Sequence, residues 1–276
     1  RALRARINLF TAVVGRLQPI LSSMPQRIAQ VALASADPQL KLVAAIEHAA
    51  HTKLGEDAGT LAGVGTLGIP LSVALAADVD VAIDFSVPQA TGAILSQCLA
   101  KKIPLVVATT GLAADQKQQI QDAARQIPLL WSPSMSLAVN LTMKLAEIAA
   151  RALADHPTGA DVEIIERHHR FKEDAPSGTA LRFGEIIAGV MGQAEVRHGR
   201  SGRPGQRPHG EIGYHALRVG DNFGEHTIVF GLLGETIELA VRASSRDCYA
   251  HGALAAAKFL AGKKPGLYNM NDVLGI

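Results

Sequence analysis

Two short apolar runs, Val79-Asp-Val-Ala-Ile-Asp84 and Ile103-Pro-Leu-Val-Val-Ala108, bracket a helical stretch from Gln89 to Lys101. Reading that triplet decides the fold. Runs of four to eight residues rich in Val and Ile, bounded by turn residues, read as strands, and the stretch between them reads as a crossover helix. The alternation continues outward in both directions. Arg27 to Ala34 reads as helix and Leu40-Lys-Leu-Val-Ala-Ala-Ile46 as strand before it; Ala114 to Gln126 reads as helix and Ile127-Pro-Leu-Leu-Trp131 as strand after it. Strands and helices in turn argue for a parallel sheet covered on both faces, the doubly wound form of the α/β class. From Asp161 onward the strands become longer and more alternating, as in Thr227 to Leu233 and Glu235 to Val241. That half reads as an α+β domain with an open mixed sheet, one face of which is covered by helices. Ala250 to Ala261 returns to helix.

Composition narrows the function classes. The 276 residues are enough for a sizeable core in one or two domains. A formal charge of +2 and an aromatic content of 4% give neither the basic field nor the stacking surface of a nucleic-acid binder, so no nucleic-acid partner is expected. The basic segment Arg197 to Arg207 reads as a solvated loop. Cys98 and Cys248 read as reduced, buried thiols rather than a disulfide framework. No apolar run approaches the roughly 20 residues of a membrane helix, and no secretory signal stands out. A cytoplasmic location without membrane association is therefore the expectation.

The chemistry concentrates in Glu166-Arg-His-His-Arg-Phe-Lys-Glu-Asp-Ala-Pro-Ser-Gly-Thr-Ala180. Asp161 to Glu166 reads as a strand with His168 and His169 at its carboxyl end. Neighbouring strand residues face opposite ways, so the strand has to end there for an imidazole to turn into the loop. Histidine, with an unperturbed pKa near ~6.5, exchanges a proton close to neutrality. Lys172 adds a fixed cation. Ser177 reads as the N-cap of a helix running from Thr179 to Met191, and the N–H groups around Gly178 and Thr179 face an anion at its start. As single residues these would be ordinary solvated charge; as a group they read as an acid, a cation and carboxylate donors.

That segment resembles the signature of the dihydrodipicolinate reductase (4-hydroxy-tetrahydrodipicolinate reductase) family, from about Arg27 to Ile276. Supporting pieces occur in the family's order: Asp84-Phe-Ser86, Thr109-Thr-Gly111, Ser136 to Asn140, Gly210-Glu-Ile-Gly213, Arg218-Val-Gly-Asp221, Gly224-Glu-His226 and Ala243-Ser-Ser-Arg246. The resemblance implies a Rossmann-like dinucleotide-binding domain over residues 1–136, on which 247–276 pack back. Residues 137–246 become a domain for substrate binding and oligomerisation, with the subunits joined into a homotetramer through its sheet. It implies reduction of a cyclic unsaturated dicarboxylate of lysine and diaminopimelate biosynthesis by NADH or NADPH, with no metal. His168 then matches the acid that protonates the ring, Lys172 a second catalytic group, and His169, Gly178 and Thr179 substrate-binding positions.

For the cofactor, the resemblance points to Glu47 and His48 after the second strand, Ala108, Thr109 and Thr110 at another strand end, and Ser132, Pro133, Ser134 and Met135 in the next loop. Glu47 also suits ribose hydroxyls on position alone, although a lone Glu there is more often plain surface. One departure is pronounced. Where the family has a Gly-x-x-Gly-Arg-Met-Gly turn, this chain reads Ala12-Val-Val-Gly-Arg-Leu-Gln-Pro-Ile-Leu-Ser-Ser-Met-Pro-Gln-Arg27. Aligning Met24 puts Pro19, Ser22 and Pro25 where glycines are expected, which removes a donor and obstructs backbone approach to a pyrophosphate. Pro25 still suits a first helical turn. A non-catalytic relative that keeps the dicarboxylate pocket is the alternative; a dehydrogenase of an aspartate-family semialdehyde is disfavoured by the His-His to Ser-Gly-Thr segment.

Overall fold

A computed structural model describes residues 7–12, 24–75 and 78–276, with side chains from residue 30 onward. The replaced turn after the first strand lies outside the described residues. The chain divides into two units, Arg1–Leu137 with Arg246–Gly275, and Ala138–Ser245.

The first unit holds β1 (Ile7–Ala12), α1 (Met24–Ala36), β2 (Leu40–Ile46), α2 (Ala58–Leu61), β3 (Leu71–Ser72), β4 (Val81–Asp84), α3 (Pro88–Lys101), β5 (Leu105–Val107), α4 (Ala114–Ala123) and β6 (Pro128–Trp131). Its seven strands lie in the order β12-β6-β5-β4-β1-β2-β3, every pair parallel; β12 (Gly266–Tyr268) returns from the far end of the chain to the edge beside β6. The order reverses between β1 and β4, the switch point of a doubly wound sheet. Strand periodicity sorts the core into two layers. Ala82, Leu105, Val107 and Leu129 pack with Ile94, Cys98 and Ile120 of α3 and α4. Val81, Ile83, Val106 and Leu130 pack on the opposite face with Ala34 of α1 and with Ala253, Ala257 and Leu260 of α7 (Asp247–Leu260). Met270 of α8 (Met270–Leu274) completes that layer.

The second unit begins with α5 (Leu137–Leu153) and continues with β7 (Asp161–His168), α6 (Gly178–Met191), β8 (Glu195–His198), β9 (Glu211–Arg218), β10 (Glu225–Leu232) and β11 (Glu235–Arg242). The sheet order is β11-β10-β7-β9-β8. β9 runs parallel to β7 and β8, while β10 is antiparallel to β7 and β11, so the sheet is open and mixed. α5 and α6 cover one face through Val139, Ala146, Phe183 and Ile187, packed on Val162, Ile164, Tyr214, Ile228 and Phe230.

Two expectations need correction. β7 does not end before the histidines: it runs through His168, and only His169 lies beyond it. The segment 197–207 is not a freely solvated basic loop. Arg197 sits on β8 and pairs with Glu211 at 3.0 Å. Arg200 grips Glu163 with bonds of 3.1 and 2.6 Å, and Arg207 reaches Glu163 at 3.1 Å and Asp161 at 2.7 Å. His215 adds a third partner to Glu163 at 2.7 Å. Burial raises the Glu163 carboxyl, but the bonds from Arg200, His215 and Arg207 prevail and bring it down to about 2.

Candidate active site

Glu166 and His168 stand two residues apart on β7 and share the face that Val162 and Ile164 turn toward the helices. A carboxylate on a core face has to be paired. Arg218, opposite His168 in the β7–β9 register, meets Glu166 with two bonds of 2.8 Å, one to each oxygen. The Ser177 backbone N–H donates to Oε1 at 3.0 Å, and Nδ1 of His168 lies 2.6 Å from Oε2. The Glu166 side chain is 0% exposed and that of His168 12%. Burial pushes Glu166 upward; the bonds from His168 and Arg218 overcome it and hold the carboxyl at about 2.

The same bond to Ser177 ties the end of β7 to the start of α6. Ser177 is the N-cap, its Oγ accepting from Ala180 N at 3.2 Å. That hydroxyl also lies 3.0 Å from Nε2 of His226, a buried ring on β10. Which of the pair donates is set by the His226 tautomer. Burial, then the neighbouring His168 and Lys172 cations, depress His226 to about 4, despite Glu166. The His226 ring meets that of His168 edge-on, with centroids 5.3 Å apart. Once Ser177 has capped Ala180, the N–H groups of Gly178 and Thr179 are left at the open end of the helix. A Cβ at Gly178 would meet nothing within 4 Å, so the helix start faces open space.

The loop between β7 and α6 carries the remaining predicted residues. His169 N donates to Asn222 O at 2.8 Å, and Arg170 N to Gly220 O at 3.0 Å, which fastens the loop to the β9–β10 turn. Lys172 N donates to His169 O at 3.1 Å, and its ammonium lies 2.7 Å from the Asp174 carboxylate. His168, His169, Lys172, Gly178 and Thr179 thus occupy one continuous strand end, loop and helix start. Sequence reading missed the roles of Glu166 and His226. The period-two register Val162, Ile164, Glu166, His168 was a usable signal, because it puts the carboxylate on the apolar face.

In the first unit the remaining candidates all follow the carboxyl ends of parallel strands, hence one edge of the sheet. Glu47 and His48 follow β2. Glu47 is buried, at 2% exposure, rather than plain surface, and its Oε2 accepts from His48 N at 3.2 Å. Nδ1 of His48 accepts from Ala50 N at 3.2 Å. Ala108 and Thr109 follow β5 and are buried, Ala108 N donating to Asp84 O at 2.9 Å; Thr110 is exposed. Gly111 takes a left-handed φ of 76°, which turns the chain there. After β6, Ser132 Oγ donates to Ser134 O at 3.0 Å, Met135 is buried in the core and Pro133 is exposed. Asp84 closes β4 with a buried carboxyl that accepts from Ser86 N at 2.8 Å and Thr91 Oγ1 at 2.9 Å; burial pushes it upward. Among the described residues no group of three or more His, Cys, Asp or Glu is placed to hold a metal ion, and no helix is long and apolar enough to cross a membrane.

Fold and site together define the class: a doubly wound α/β protein of dehydrogenase architecture, joined to a mixed-sheet unit carrying a histidine–carboxylate pair beside a capped helix. The chain belongs to the dihydrodipicolinate reductase family. The family model for the N-terminus matches residues 23–135 and that for the C-terminus residues 138–274. A 4-hydroxy-tetrahydrodipicolinate reductase of Rhodopirellula baltica is 58% identical over 254 residues, covering 89% of this chain and 91% of the relative. The fold is similar to that of dipicolinate-bound dihydrodipicolinate reductase from Paenisporosarcina sp. TG-14, with a TM-score of 0.73, 23% identity and coverage of 96% and 97%. It is also similar to that of GenD2 from gentamicin A biosynthesis in complex with NAD, with a TM-score of 0.60, 13% identity and coverage of 99% and 92%.

Proposed function

We propose that this chain reduces 4-hydroxy-tetrahydrodipicolinate to tetrahydrodipicolinate, the reaction named by its 58%-identical relative. The observation that carries the reading is His168, tied at Nδ1 to a buried carboxylate and standing beside the open start of α6. A ring bearing two carboxylates finds there what its charge requires. Lys172 supplies a cation, Gly178 and Thr179 supply helix-start N–H groups, and His169 supplies an imidazole on the same loop. His168 holds the proton destined for the ring carbon, with Glu166 offsetting the imidazolium charge. Lys172, shared with Asp174, holds the substrate in register. The second unit is thereby the substrate domain; its uncovered sheet face is the surface for a homotetramer.

The first unit is the dinucleotide domain. Its carboxyl edge fits a nicotinamide dinucleotide: the buried Glu47 with His48 suits the adenosine ribose, and Ala108, Thr109, Thr110 and Ser132 to Met135 suit the nicotinamide end. When bound, NADH or NADPH supplies the hydride. His48, a weaker and pH-dependent cation than arginine, leaves both acceptable. On this reading the chain is a cytoplasmic enzyme of lysine and diaminopimelate biosynthesis.

Titrating NADH and NADPH while following nicotinamide fluorescence, then measuring oxidation of the reduced cofactor with 4-hydroxy-tetrahydrodipicolinate, tests the whole reading. Binding of either cofactor with turnover is expected. A folded chain that binds neither at millimolar concentration returns the assignment to a non-catalytic relative. His168→Ala is expected to lower kcat by roughly 10²–10⁴. Gly178→Pro, which removes one of the helix-start N–H groups at the first helical position, where proline is tolerated, is expected to raise KM with little change in kcat.

A further inference from the structure

We infer that Glu166 is a positioning residue that fixes the tautomer of His168, keeping a proton on Nδ1 and thereby presenting Nε2 as the atom that exchanges a proton with substrate. The inference deepens the proposed function and rests on its assignment of His168 as the proton donor.

Both Glu166 oxygens are occupied by donors: Oε1 receives Ser177 N at 3.0 Å and Arg218 Nη2 at 2.8 Å, and Oε2 receives Arg218 Nη1 at 2.8 Å. An arginine can only donate, and so can a backbone N–H. A carboxylate gripped in this way is ionised and can only accept. The nitrogen 2.6 Å from Oε2 must then be a donor, so Nδ1 carries hydrogen in both the neutral and the charged ring. Nε2 is left to gain or lose the exchangeable proton. It points toward Gly224, where the missing side chain leaves it room.

Other charges facing the ring are consistent with this assignment. His226 on β10 lies edge-on at 5.3 Å with its Nε2 on the Ser177 hydroxyl, so that nitrogen does not compete for Glu166. Lys172 in the following loop is held by Asp174. Arg218 is committed to Glu166 and to the Asp174 carbonyl at 2.5 Å. Glu166 is therefore the acceptor that the His168 ring meets at Nδ1.

The isosteric change Glu166→Gln makes a distinctive forecast. One oxygen becomes an NH2 group. The oxygen that remains belongs at the Oε1 position, where two donors that cannot change role converge, against one, Arg218 Nη1, at Oε2; NH2 is thereby placed at Oε2, facing His168. That group donates, so Nδ1 must become an acceptor and the proton must move to Nε2. The imidazolium, which needs hydrogen on both nitrogens, is then opposed by the amide. A wrong tautomer of this kind disables a proton-transfer histidine while leaving its position nearly intact.

The test combines nitrogen NMR with a double-mutant cycle. In the wild-type chain, 15N shifts of His168, assigned by their loss in His168→Gln, are expected to show Nδ1–H in the neutral ring. In Glu166→Gln they are expected to show Nε2–H. Glu166→Gln should lower kcat by roughly 10²-fold or more, with KM changed less than about threefold, but cost under about threefold in a His168→Ala background. Nε2–H in the wild-type ring, a measurement that needs no folded Glu166 variant, overturns the inference. So does a Glu166→Gln penalty that persists undiminished without His168, since that marks a structural role. Full turnover by His168→Ala would instead overturn the proton-donor assignment and the catalytic half of the inference. The nitrogen shifts decide the positioning half alone.

Discussion

Gly224 holds its backbone at φ +138°, where a Cβ would come 2.9 Å from Nε2 of His168. Both facts exclude a side chain, one through backbone strain and one through space. Gly224→Ala is expected to push the imidazole off its bond to Glu166. Turnover should fall by at least about tenfold, and stability by about 1–3 kcal/mol. Kinetics and a thermal melt check this; an Ala variant with wild-type kcat would show that the ring has space to spare. The histidines, the lysine and the Ser177 cap were legible in the sequence, because residue type, strand end and helix start coincide within one stretch. Glu166 was harder to see. Its role depends on Arg218, which comes from another strand 52 positions on and meets it only through the β7–β9 register. Gly224 was invisible as a spacer for the same reason.

Helix α7 shows how packing fixes an element that propensity only suggests. It lies so close to the loop after β6 that a Cβ on Gly252 would fall 1.6 Å from the Met135 carbonyl oxygen. Gly252→Ala must therefore move the helix or the loop, and a loss of about 1–3 kcal/mol is expected on chemical denaturation. Because the displaced loop carries Ser132 to Met135, weaker nicotinamide-cofactor binding should accompany it; a stable variant with unaltered binding would refute that coupling. The strands of the parallel sheet were readable because they are buried on both faces and so nearly continuous in apolar residues, and the helices because their apolar residues recur at helical spacing. Their ends were read too generously at β4 and β5, where turns claim the first residues. β8 escaped the reading because all four of its residues are exposed at a sheet edge and show no alternation. Arg200 and Arg207 were read as solvated because their carboxylate partners Asp161 and Glu163 lie on a distant strand, and the missing side chain of Gly213 leaves room for Glu163.

Acid should act first on the second unit. Glu163 and Glu166 have folded values of about 2, below the ordinary 4.5, so each stabilises the second unit above about pH 4.5. That contribution is lost progressively as pH falls toward 2. In the first unit the shifts oppose one another: burial raises Asp84, whose protonation relieves folding, whereas backbone bonds from Thr60, Leu67 and Ile69 lower Asp57. The sole tryptophan, Trp131, lies on β6 of the first unit. At about pH 3, far-UV circular dichroism is expected to lose strand signal while Trp131 emission stays native-like. Simultaneous loss of both would show that the units do not unfold separately. The interrupted chain path of the first unit bears also on biosynthesis. Its core layer of Val81, Ile83 and Val106 is covered by Ala253, Ala257 and Leu260, supplied only after the whole second unit has been made. On the ribosome, then, the half that begins first is completed last, and its half-covered sheet is what nascent-chain chaperones would meet.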